Sequence, residues 1–311
     1  MLGGASCAAL LLLVVAAAET FPSPATSTSR QELVLLQQRV DHKAVPDHSS
    51  AGTGAFWGTT WANSQELQQW LAEKEEKYGG FAKYVLCQAS DSDVGGKDRC
   101  LGGDRMAAEA HNYGICYAQV FSAFQDVWEQ TWHHRGGKDW EAAEIGVLKG
   151  SGMAIWSELF PQTQLHAFDY YLDNIEENMP FLLSRGGFAQ SRPQLHELDQ
   201  SAPDTYPDVS ECLESKASDF FFIVDDASHN LVWTAWTHQH FMQYLDPLGA
   251  YVIEDLGTSL REPFREMLSE KFDMWICPES PNFWVLTWKP QFAPVITQAG
   301  CTSSHFLLEV L

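Results

Sequence analysis

Ile223-Val-Asp-Asp-Ala-Ser-His229 and Tyr251-Val-Ile-Glu-Asp-Leu256 each run through apolar residues into two adjacent acids, and a histidine follows the first pair. Acids at the ends of two strands can point at one spot above a sheet. Three carboxylates with a nearby imidazole can hold a divalent cation and a base, and carboxylate oxygens suit Mg²⁺. Side chains alternate along a strand, so only one of Asp225 and Asp226 faces a ligand crevice. Adjacent acids at strand ends also cap helices, a role open to Ser228 as well. Two such pairs at successive strand ends weigh toward metal. His229 is the candidate base, since an unperturbed imidazole titrates near neutrality and can take a hydroxyl proton. His238-Gln-His240 has the look of a metal pair, but residues two apart on a helix do not share a face.

A second set of residues lies upstream. Glu144-Ile-Gly-Val-Leu-Lys-Gly-Ser151 ends a short apolar run with Gly146 and Gly150 where a strand turns toward a helix. Glycine there lets the backbone approach a ligand. The spacing is not G-x-G-x-x-G, and the Lys-Ser/Thr of a phosphate loop is missing. Phe168-Asp169 then places an acid at the end of the next run, where it can accept hydrogen bonds from both ribose hydroxyls of a nucleoside.

These residues need strands and helices to position them. Apolar runs at Ala143–Val147, Leu165–Phe168, Gln194–Leu198, Phe220–Val224 and Ala250–Ile253 alternate with helical stretches, notably Gly152–Leu159, Tyr171–Ser184 and Leu231–Tyr244. The alternation predicts an α/β fold with a doubly wound, mostly parallel, Rossmann-like sheet. Phe272–Ile276 and Phe283–Trp288 bring the strands to seven. The Pro278-Glu-Ser-Pro-Asn282 cluster between them is too short for a crossover helix, so this pair is expected to be an antiparallel hairpin. Upstream, Ser64–Lys77 has helical spacing with Ser64 as N-cap, and Ala107–His133 carries an aromatic stripe best read as core packing.

Taken together, Glu144–Ser151, Leu159-Phe-Pro161, His166-Ala-Phe-Asp169, Asp225–His229 and Gly249–Asp255 resemble one branch of the class I S-adenosylmethionine-dependent methyltransferases. That branch holds the metal-dependent O-methyltransferases of macrolide sugars, of the macrocin and mycinamicin types, and a cephalosporin-biosynthesis protein. Gly103-Asp-Arg105, His111-Asn-Tyr113 with Tyr117, and Asp199-Gln-Ser201 also fit, and the likeness spans about residues 100–290. The resemblance implies Mg²⁺ on Asp226, Glu254 and Asp255, with His229 as general base. It implies cofactor contacts from Glu144, Gly146 and Asp169, with Ser151 and Asp199 lining the pocket. Asp225, beside the metal acid Asp226, is also expected to bind the cofactor. The expected activity is Mg²⁺-dependent transfer of a methyl group from S-adenosylmethionine to a hydroxyl of a small molecule such as a sugar, polyketide or other secondary metabolite. The chain departs from the branch at Ala227, where glycine is usual, and at Pro247-Leu-Gly249, which replaces Pro-Gly-Gly. A non-catalytic binding protein on a retained fold is the competing reading. A nicotinamide-dependent oxidoreductase is disfavoured by the absent G-x-G-x-x-G.

Composition bounds the partners. The 311 residues carry a formal net charge of -22, which excludes a nucleic-acid backbone as an expected partner. A homo-oligomer stays open. Cys7–Ala18 is an unbroken apolar and small-residue run ending in Ala16-Ala17-Ala18, which reads as a signal peptide (1–18) and is too short to span a bilayer. No membrane span is expected after its removal. The Ser/Thr/Pro-rich segment behind it, within a 19–60 linker, is either a plain linker or a transit-like segment. The expected address is therefore the secretory pathway or outside the cell, with a complex plastid as the alternative. The remainder divides into a helical region (61–140), a catalytic domain (141–290) and a tail (291–311). Of seven cysteines, six remain after cleavage, and Cys87 with Cys100 is the expected disulfide.

Overall fold

The computed structural model describes residues 55–79, 104–108, 110–134, 140–190, 192–213, 219–268 and 271–289. The targeting segment, most of the linker, the Cys87–Cys100 pair and the tail lie outside these residues.

Seven strands form one sheet: β1 (Trp140–Ile145), β2 (Gln164–Asp169), β3 (Gln194–Glu197), β4 (Asp219–Asp225), β5 (Leu245–Ile253), β6 (Phe272–Ile276) and β7 (Trp284–Trp288). Their order is β3-β2-β1-β4-β5-β7-β6. The first five are parallel, and β7 enters antiparallel between β5 and β6. This is the α/β, Rossmann-like sheet with a closing antiparallel hairpin that the sequence pattern predicts. The chain reverses its direction of strand addition between β1 and β4, and a crevice opens at such a switch point beyond the carboxyl ends of the strands. β1, β2, β4 and β5 deliver the candidate residues to that edge.

β5 begins earlier than expected, because Pro247-Leu-Gly249 reads as a turn. The register of β4 against β5 jumps from Phe220↔Leu245 to Phe222↔Ala250, so the extra residues are carried as a bulge. Asp246 stitches it, accepting from Leu248 N (2.8 Å) and Trp140 Nε1 (2.9 Å).

Among the described residues the helices are α1 (Ser64–Tyr78), α2 (Tyr113–His134), α3 (Ser151–Leu159), α4 (Asp173–Ser184), α5 (Val209–Cys212), α6 (Leu231–Phe241) and α7 (Arg261–Met267). Asn63, not Ser64, caps α1, its side chain accepting from Glu66 N. α2 starts at Tyr113, later than the apolar pattern at Ala107, and the segment before it carries Arg105.

Two apolar layers cover the sheet. On one face α1, α2 and α3 share a core that includes Trp57, Trp128, Trp156, Phe160, Phe221 and Phe222. On the other, α6 and α7 pack Ala235, Phe241 and Phe264 against Ile223, Tyr251 and Trp284. The aromatic stripe of α2 is core, with Tyr117, Phe121 and Trp128 fully buried. Residues on both sides of position 141 therefore enter one core, and packing does not stop at the division drawn there from sequence. Lys74 and Lys77 of α1 and the Tyr78 hydroxyl all bond Glu158 of α3. A disulfide joins Cys116 of α2 to Cys277 just past β6, with Cα atoms 5.7 Å apart.

Candidate functional site

Strand parity sorts the acids. Glu144 pairs with Val224 across β1–β4, and Val224 with Val252 across β4–β5. Two residues on, Asp226 and Glu254 therefore point to the same face as Glu144, toward α2 and α3. Asp225 points the other way. Its carboxylate is buried, accepting from Gln200 Nε2 (2.8 Å) and Tyr251 Oη (2.9 Å). Gln200 turns its other end to the Ser228 N–H (3.0 Å), so this network fixes the loop that carries His229. Burial pushes the Asp225 carboxyl up to about 7, against the pull of Tyr251 and Gln200. The sequence places Asp225 among the cofactor-binding residues; in the structure it faces away from Glu144 and both its oxygens are taken by Gln200 and Tyr251.

Arg105 gathers the three acids of the opposite face. Its Nε donates to Glu254 Oε2 (2.9 Å), and its Nη2 to Glu144 Oε1 (2.9 Å) and Asp226 Oδ2 (2.6 Å). Glu144 also accepts from Trp156 Nε1 (2.7 Å), and Glu254 from the Tyr117 hydroxyl. Burial raises the pKa of Glu144, Asp226 and Glu254, and Arg105 works against that rise in each. Burial alone would lower the Arg105 pKa, but the three carboxylates outweigh it and hold the guanidinium charged.

Parity would send Asp255 to the far face with Ile253. It does not go there, because its backbone is left-handed (φ 56°), as is that of His229 (φ 53°). Such non-glycine conformations cost roughly 1–3 kcal/mol and collect at functional sites. The turn brings the Asp255 carboxylate to His111 Nδ1 (3.2 Å) and the Tyr113 hydroxyl. Burial raises its pKa, but bonds from His111 and Tyr113 prevail and leave it below the usual aspartate value. Ala227 is not among the positive-φ residues, so the glycine usual in the related motif is not needed here.

One atom each from Asp226, His229 and Asp255 lie within 4.8 Å of one another. Of the three carboxylates expected on a cation, the structure thus brings two together with the imidazole. Glu254 is turned instead to Arg105 and Tyr117, because it stays on strand parity while Asp255 leaves it. Two carboxylates are oxygen donors of the kind Mg²⁺ takes, and they leave the imidazole beside them free to act as a base.

The glycine loop lies on the other flank. Gly146 has φ 84° and Gly150 φ 77°, both in the region that favours glycine. A Cβ at Gly146 would stand 2.3 Å from the Asp226 carbonyl oxygen, so the loop closes directly on β4. Asp169 Oδ2 accepts from Val147 N (2.8 Å) and Leu148 N (3.0 Å), and Oδ1 from Tyr171 N (2.9 Å). A carboxylate offers about four acceptor positions, so Asp169 keeps capacity for a ligand hydroxyl. Ser151 opens α3 beside the loop. Asp199 accepts from the Ser201 N–H (2.8 Å) and hydroxyl (2.6 Å), holding a turn after β3. The loop, the uncapped start of α3 and Asp169 fit a nucleoside cofactor.

His238 and His240 separate as expected. His238 is buried among Tyr251, Phe264 and Phe272, which takes its pKa down to about 3, while His240 bonds the Pro207 carbonyl at 3.0 Å. Arg105, His111, Tyr113 and Tyr117 stand in motifs that fit the related branch, but nothing in their spacing assigns them a role. The available signal is one arginine in a chain whose strands end in several acids.

No family model matches this chain, and no curated protein matches it. Solved structures of class I methyltransferases do, at low identity. The MycE methyltransferase of the mycinamycin biosynthetic pathway, solved with Mg and SAH, is 15% identical over 53% of this chain and 49% of its own, with a TM-score of 0.36. This chain therefore spans about half the length of that protein. The SAH-bound Podospora anserina methyltransferase PaMTH1 is 13% identical over 74% of this chain and 99% of its own, with a TM-score of 0.41. The O-methyltransferase TomG from Streptomyces achromogenes, solved with SAM, is 14% identical over 47% of this chain and 71% of its own, with a TM-score of 0.35. Likenesses this distant carry no chemistry.

Proposed function

We propose that this chain is an S-adenosylmethionine-dependent O-methyltransferase that acts, with Mg²⁺, on a hydroxyl of a small molecule. The meeting of Asp226, His229 and Asp255 at the carboxyl ends of β4 and β5, beside the Gly146 loop, carries the proposal. The cofactor supplies an electrophilic methyl group, and a divalent cation supplies a Lewis acid that lowers the pKa of a bound hydroxyl.

The chain's own residues divide the remaining work. Asp169 accepts from a ribose hydroxyl, and the Gly146–Ser151 loop lets the backbone come close to the ligand. Asp226 and Asp255 hold the cation, and Tyr113 and His111 orient Asp255. Glu254 acts through Arg105, which fixes the free rotation of Asp226. His229 is exposed at the rim and takes the acceptor's proton. Gln200 and Asp225 hold the His229 loop from behind the sheet.

Methyl transfer from labelled cofactor to a panel of vicinal diols, catechols and sugars, with and without chelator, tests the proposal. Transfer that chelator abolishes and Mg²⁺ restores is the expected result. Transfer indifferent to chelator would remove the cation, and Asp226→Ala should then leave the rate unchanged.

A further inference from the structure

α6 is packed inside out. Its buried side chains include Thr234, Thr237 and His238, while Trp233 and Trp236 are each 36% exposed. A surface helix ordinarily turns its apolar stripe to the core and its polar residues to water. Inside, the Thr237 hydroxyl donates to the Trp233 carbonyl at 2.9 Å, and burial keeps the His238 imidazole uncharged, with its pKa down to about 3. Outside, the two indoles lie in open contact with solvent.

The outer face has a second property. Between Asp226 and Asp246 the chain has no Asp, Glu, Lys or Arg, in a protein whose formal net charge is -22. Trp233, Trp236 and the half-buried His240 follow one another at steps of three and four. That spacing lines one stripe of a helix and is the one that seats a helix against another.

We infer that the outer face of α6 is an interface between two copies of this chain, with α6 packed on its counterpart across a two-fold axis. Charge selects the occupant. Two strongly acidic copies repel each other over most of their surface, and like charges brought face to face are costly. A face with no formal charge is where they can meet. A membrane surface fits less well, because helices that lie on lipid carry Lys and Arg on their polar side and α6 has neither. A two-fold interface is self-complementary, so one tryptophan pair serves both subunits, and tryptophan is a common anchor of such contacts. The face also lies next to the proposed base. Asn230, the neighbour of His229, caps α6 by accepting from the Val232 and Trp233 N–H groups, so docking on Trp233 braces the turn that carries the imidazole. The interface itself does not depend on the methyltransferase reading.

Sedimentation equilibrium of the full chain reads the association without turnover. The native chain should be a dimer at micromolar concentration, and added salt should tighten it, because screening weakens the repulsion between two acidic copies. Trp233→Ser combined with Trp236→Ser should weaken the dimer at least about tenfold, as loss of an interface anchor does. Its melting temperature, measured where both proteins are monomeric, should be unchanged, since both side chains face outward. Trp236→Gln alone keeps the comparison open if the double variant is unstable. A native chain that stays monomeric at micromolar concentration in high salt, or a double variant that dimerises as tightly as the native chain, would overturn the inference. So would a native monomer that binds zwitterionic lipid vesicles and loses them in the double variant, which would give the face to a membrane surface.

Discussion

Tyr113 and Asp255 hold each other twice: the phenol donates to the Asp255 carboxylate, and the Asp255 N–H donates back to the phenol oxygen at 3.3 Å. This exchange pins a residue whose left-handed backbone departs from strand alternation. Removing the hydroxyl in Tyr113→Phe should loosen Asp255 at little cost to the core, since the ring still packs on Phe283. Loss of such an orienting partner typically weakens metal binding about 10-fold or more. Titration of Mn²⁺ or Mg²⁺ into both proteins checks this, and equal affinities would remove Tyr113 from the site.

His229→Ala separates base from scaffold. The side chain is exposed, so stability should hardly change. General-base catalysis is worth roughly 10²–10⁴-fold, and single-turnover methyl transfer should slow by that order while S-adenosylhomocysteine affinity stays put. A rate within twofold of the native one would give the proton to another group.

Glu75 provides a pH test away from the site. It is buried on α1, accepts the Met106 N–H at 2.8 Å, and burial raises its pKa from 4.5 to about 7, against the pull of the Met106 N–H and Arg105. A raised carboxyl binds its proton more tightly folded than unfolded. Its stabilising contribution is therefore complete below about pH 4.5 and is lost as pH rises through about 7. The histidines at 196 and 238, whose pKa values are lowered, act with the opposite slope, so the test is a difference between proteins. Glu75→Gln keeps an acceptor for Met106 and does not titrate. The variant's melting temperature should gain on the native chain between pH 5 and 8, and a constant offset across that range would contradict the assignment.

The Cys116–Cys277 bridge closes a loop of 161 residues and ties the helix bearing Tyr113 and Tyr117 to the hairpin. A disulfide of this kind typically contributes about 2–4 kcal/mol. Reductant, or Cys116→Ser, should lower the denaturation midpoint accordingly, and intact-mass analysis after alkylation should show the pair oxidised in the untreated protein. A free thiol at Cys116 in the untreated chain would contradict it.

The sheet was legible in sequence because apolar runs and helical stretches alternate at spacings that only a parallel sheet satisfies. The positions of Gly146, Asp169, Asp226 and His229 followed from where those runs end. Glu254 and Asp255 were harder. Two adjacent acids look equivalent in sequence, and only the left-handed backbone at Asp255 sends one to His229's side and leaves the other to Arg105. Asp225 likewise looks like a ligand residue until Gln200 and Tyr251 are seen to use both its oxygens. The bridge between Cys116 and Cys277 was hidden because it depends on where α2 lands on the sheet, which nothing local in the chain specifies. Arg105 was hidden for the same reason.

The most direct measurement is calorimetric titration of the purified chain, its first 18 residues removed, with S-adenosylmethionine and S-adenosylhomocysteine, with and without Mg²⁺. Micromolar binding of either nucleoside is the expected result, and it should be lost in Asp169→Ala. A chain shown to be folded that binds neither would contradict the methyltransferase reading and leave a binding protein on a methyltransferase-like fold.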